Sequence, residues 1–62
     1  MNTFEQGVQA LAAGQLLAAE KLFRAALHEN PDSVDALAKL GETLQFRGHL
    51  QAAIECRHRV LE

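Results

Sequence analysis

The sequence predicts an all-α protein of four helices, arranged as two antiparallel helix–turn–helix pairs. Three observations predict it. Apolar residues recur at spacings of three and four, the signature of a helix with one buried face. Glycines and a proline interrupt these stretches where turns are needed. Sliding the chain by 34 residues lays it on itself, Gly7 on Gly41, Gly14 on Gly48, Leu16 on Leu50, Ala18 on Ala52, Ala19 on Ala53 and Leu27 on Leu61. No stretch alternates with period two, so no strand is expected.

Asn2 and Thr3 are suited to N-capping, and Thr3 with Gln6 forms a capping-box pattern, so a first helix is expected through "FEQGVQALAA" to Gly14. The next stretch, "QLLAAEKLFRAALHE", places Leu16, Ala19, Phe23, Ala26 and Leu27 on one stripe of a second helix. Asn30-Pro31 stops it, because proline disfavours helical backbone in the residue before it and carries no N–H. Asp32 and Ser33 stand ready to cap a third helix, "VDALAKLGETLQFR", which buries Leu37, Leu40, Gly41 and Leu44 and closes at Gly48. The fourth, "HLQAAIECRHRVLE", carries Leu50, Ala53, Ile54, Cys56, Val60 and Leu61.

The repeat explains why costly glycines are kept. A glycine inside a helix is about 1 kcal/mol less favourable than alanine. Gly7 and Gly41 lie mid-helix, where the absence of a side chain lets a partner helix approach; Gly14 and Gly48 lie at turns, where a positive φ suits only glycine.

These residues resemble the tetratricopeptide repeat, a helix–turn–helix unit with a period of about 34 and the pattern W-x2-L-G-x2-Y, then A-x3-F, then P. Gly7, Ala19, Phe23, Ala26 and Pro31 match in one unit, and Leu37, Leu40, Gly41, Leu44 and Ala53 in the other. The resemblance covers essentially the whole chain as a single domain, 1–62, with one unit over about 1–31 and another over about 32–62. Thr3, Gln6 and Ala10 stand where the first unit would carry large apolar residues, so the first helix reads as an end cap. Arg57 replaces the aromatic of the second unit. Glu62 matches His28, three residues short of the terminating proline, so the chain is expected to be a fragment of a longer protein.

Composition narrows the function. With 62 residues, a net charge of −2 and 48% hydrophobic residues, the chain is a small helical domain without the basic footprint of a nucleic-acid binder. No apolar stretch approaches the roughly 20 residues of a membrane span, and no basic start precedes an apolar run. Cys56 is the only cysteine, which points to a reduced, cytoplasmic setting and a fold held by packing.

No catalytic, metal or cofactor site is expected. His28, His49 and His58 are scattered, and only Glu55 and His58 share a face, fewer than the three or four ligands zinc needs. Cys56 beside Arg57, His58 and Arg59 lacks a readable base and reads as a packing residue, with the basic cluster a solvated face. The glycine spacing fits no phosphate-binding loop.

The resemblance implies stacked helix pairs in a right-handed superhelix whose first helices line a concave groove for a peptide or a helix. That groove would be lined by Phe4, Val8, Leu11 and Ala12, then Asp35, Ala38, Lys39, Glu42, Gln45 and Phe46. The alternative for Phe4 and Val8 is that they fold back onto the core. Family members that clamp acidic tails present Lys and Asn where this chain has Phe4, Val8 and Glu42, so no carboxylate clamp is built. Two units fall below the three or so that stabilise a stack, which predicts self-association, as a homodimer, through a last-helix face formed by Ala53, Ile54, Arg57, Val60 and Leu61. The function expected is a protein-interaction scaffold, not an enzyme; the rival is an N-terminal assembly or targeting segment of a larger enzyme.

Overall fold

The computed structural model describes residues 1–48, 55, 56 and 58–60. Three complete helices occur among them: α1 (Thr3–Ala12), α2 (Leu16–Glu29) and α3 (Val34–Phe46). Residues 55, 56 and 58–60 are also helical, in the stretch expected to form the fourth helix, and no strand is present among the described residues. The fold is all-α, as the periodicity requires.

Each boundary has a local cause. The Asn2 side chain caps α1 by accepting the Glu5 N–H at 2.8 Å, and its Nδ2 donates to Glu5 Oε1 at 3.3 Å. The expected Thr3–Gln6 box is therefore replaced by an Asn2–Glu5 pair one residue earlier. Thr3 is freed to donate to Glu29 Oε2 at 3.0 Å, and Gln6 Nε2 donates to the Met1 carbonyl instead. At the other end, the Gly14 N–H donates to Leu11 O and the Gln15 N–H to Ala10 O, a Schellman closure that needs the left-handed φ of +78° found at Gly14. Gly48 repeats the device at φ +83°, with its N–H donating to Gln45 O. Of the two candidate caps of α3, Ser33 serves, its Oγ accepting the Ala36 N–H at 3.1 Å.

Two cross-links show that neighbouring helices run antiparallel. Thr3 at the start of α1 bonds Glu29 at the end of α2. Glu20 near the start of α2 accepts from Arg47, just past the end of α3. Accordingly α2 packs extensively on both α1 and α3, while α1 and α3 meet much less.

The core is centred on Phe23, whose side chain is 0% exposed. Ala10, Ala19, Leu37, Leu40, Leu44 and Cys56 are buried around it, and Phe4, Val8, Leu11, Leu22, Leu27 and Val60 pack half-buried against the same cluster. An ideal Cβ placed on Gly7 would lie 2.6 Å from Phe23 Cε1 and 2.8 Å from Cδ1, so the missing side chain is what lets α2 seat its phenyl ring against α1. Thr43 is also fully buried, and its hydroxyl donates to Lys39 O at 2.8 Å, which satisfies it inside the helix.

Candidate functional site

On α3 the residues expected to face a partner form a single stripe. Asp35, Lys39, Glu42 and Phe46 follow one another at spacings of four, three and four, which keeps them on one face of a helix. That face lies across the helix from the buried Leu37, Leu40 and Leu44. Asp35, Ala38, Glu42, Gln45 and Phe46 are exposed, and Lys39 is half-buried. Phe46 is 62% exposed, an aromatic left in water at the end of α3. Lys39 Nζ donates to Glu42 Oε2 at 3.4 Å, so the one cation of the stripe is engaged by one of its own carboxylates.

The α1 part of the expected lining is arranged differently. Phe4 packs on Phe23 with ring centroids 5.7 Å apart and planes tilted by 53°, and Val8 and Leu11 are half-buried against the core. Only Ala12 is exposed among the four α1 residues. Part of the Phe4 and Val8 side chains packs inward on the core while the remainder meets solvent.

Of the expected self-association face, Val60 is half-buried against the core, and Ala53, Ile54, Arg57 and Leu61 lie outside the described residues. His28 and His58 are both exposed, and His49 lies outside the described residues. Cys56 is buried in the core cluster. Among the described residues no three His, Cys, Asp or Glu side chains converge as metal ligands, and no helix is long and apolar enough to cross a membrane.

A second open surface lies on the α1–α2 pair, a cleft of about 390 Å³ lined by Ala10, Ala13, Ala18, Leu22 and three glutamines, Gln6, Gln9 and Gln15. Gln6 and Ala10 are two of the positions whose small or polar side chains point to an end cap. No lining residue is charged, so the cleft offers amide groups over a small-residue surface.

One electrostatic feature escaped the sequence reading. Glu20, with only 14% of its side chain exposed, accepts from Arg24 Nε at 3.3 Å and from Arg47 Nη1. Burial pushes its carboxyl pKa up, but hydrogen bonds and charge from Arg47 and Arg24 outweigh that and hold it below the usual glutamate value. The Glu20–Arg24 spacing of four is legible in a sequence. The reach from Arg47 back to α2 is not, because it depends on how the two helices cross. By taking Arg47, this contact also removes a cation from the end of α3 next to Phe46.

The sequence profile of the tetratricopeptide repeat family matches residues 10–62. Searches of the curated proteins and of the solved structures return no match.

Proposed function

We propose, from the premise that this chain belongs to the tetratricopeptide repeat family, that it is an interaction module whose concave side, formed by α1 and α3, receives a peptide or helix of another protein. Repeats of this family generally mediate protein–protein contact and are non-catalytic. The observation that carries the reading is the outward stripe of α3, which leaves Phe46 in solvent beside charged side chains while Leu37, Leu40 and Leu44 fill the core. A large exposed aromatic on an otherwise well-buried helix is the kind of anchor that interfaces use. In this reading residues 1–31 and 32–62 are the two repeat units. Self-association of the last-helix face is part of the same proposal, since Val60 on that helix keeps part of its side chain in solvent.

The test uses exposed positions, because Phe4 is half-buried against Phe23 and its loss would disturb the fold. An Ala12→Lys, Phe46→Lys double variant should keep the melting temperature of the wild type and lose the partners that the wild type captures from a cell extract. Capture of the same partners by both proteins would refute the groove as their binding surface.

A further inference from the structure

We infer that the occupant of this groove is a basic helical segment, and that an arginine of that segment lies over Phe46 and pairs with Glu42. The inference rests on the reading of the α1–α3 side as a binding surface and adds the chemistry of what binds there.

Three features of the α3 stripe point to a cation. Its charges are two carboxylates against a single ammonium, and the Lys39 ammonium is held by Glu42 Oε2. Glu42 has 44% of its side chain exposed and its other oxygen, Oε1, makes no hydrogen bond among the described residues, while Asp35 forms no ion pair among them. Phe46 follows Glu42 by four residues, so an exposed ring stands one turn from an exposed carboxylate on the same face.

The neighbouring cations are directed elsewhere. Arg24 and Arg47 are both drawn to Glu20, and Lys21 and Arg24 belong to α2. The α3 face is thus acidic and aromatic, with Arg47, the residue after Phe46, held by Glu20 of α2. A guanidinium fits such a pair better than an ammonium does, because its plane stacks on a ring while its N–H groups reach a carboxylate in the plane.

Asp35 supplies the spacing. It lies seven residues before Glu42, about 10 Å along a helix at 1.5 Å per residue. A helical ligand running alongside would meet both carboxylates with basic residues seven apart, and would place leucines between them against the half-buried Val8 and Leu11.

The test is a titration of the 62-residue protein into fluorescein-labelled helical peptides, read by anisotropy. One peptide carries two arginines seven residues apart on a leucine–alanine background; its counterparts carry lysine or glutamate at those positions. The arginine peptide is expected to bind tightest and the glutamate peptide at least about tenfold more weakly. Glu42→Gln and Phe46→Ala are each expected to weaken the arginine peptide about two- to fivefold, which is the scale of an exposed ion pair or cation–π contact. Both positions are exposed, so these variants should melt with the wild type.

Equal binding of arginine and glutamate peptides, still abolished by Ala12→Lys with Phe46→Lys, would overturn the charge assignment and leave the groove standing. Tighter binding of the glutamate peptide would overturn it too, with Lys39 as the recognising group. Failure of all three peptides to bind would overturn the inference, and partners still captured from an extract and lost by the double variant would then show that the groove itself survives.

Discussion

Gly7→Ala sets two general rules against each other. By helix propensity alone the substitution should stabilise α1 by about 1 kcal/mol. The structure predicts the opposite sign. The new methyl would lie 2.6 Å from Phe23 Cε1 and 2.8 Å from Cδ1, where carbon atoms rest at about 3.5–4.0 Å. The ring cannot simply retreat, since Phe23 is fully buried and Phe4 packs against it. Overpacking of this kind typically costs about 1–3 kcal/mol. With two ring carbons overlapped by about 1 Å, the upper half of that range applies, and after the propensity gain about 1–2 kcal/mol of net destabilisation is left. For a domain of this size that corresponds to a fall in melting temperature of roughly 5–15 °C. Because small single-core domains rarely exceed about 3–5 kcal/mol of stability, the loss would be plain in a thermal or urea melt followed by circular dichroism. Gly7→Ala combined with Phe23→Leu should be less damaging than the sum of the two single changes, because the smaller side chain makes room for the methyl. A Gly7→Ala protein as stable as the wild type, or more stable, would refute the close approach of α2 to α1.

Gly14→Ala should also destabilise, by about 1–2 kcal/mol, but for a backbone reason, since φ is +78° and a Cβ there would meet open space; Gly14→Asn should recover part of the loss in the same melt. Glu20→Gln should lower stability by about 1 kcal/mol, with less effect at high salt. Because the Glu20 pKa is lowered in the folded state, its contribution is full above the ordinary glutamate value of 4.5 and is lost as pH falls through the lower folded value; a wild-type-minus-variant difference that grew on acidification would contradict that sign. If the last helix mediates self-association, the melting temperature should rise with protein concentration and Leu61→Glu should abolish the rise; a concentration-independent melt of a monomer by light scattering would remove that reading.

Much of the fold was legible without coordinates because its determinants are local. The apolar spacing fixed which faces of α1, α2 and α3 turn inward, Pro31 ended α2, and Gly14 and Gly48 marked turns whose positive φ only a residue without a Cβ adopts readily. The repeat period supplied the pairing of helices. The capping pair sits one residue before the predicted Thr3–Gln6 box, because Thr3 reaches Glu29 in α2 and Asn2, also a competent cap, is left to pair with Glu5.

The sequence by itself therefore determined the helices, their order and their buried faces, since each follows from contacts within a few residues along the chain. Only the tertiary structure decided how far Phe4, Val8 and Leu11 are covered, that Phe23 takes the space left by Gly7, and that Arg47 turns to Glu20 and leaves Phe46 and Glu42 without it. Those outcomes depend on distances between residues remote in sequence, which periodicity constrains to a face but not to a neighbour.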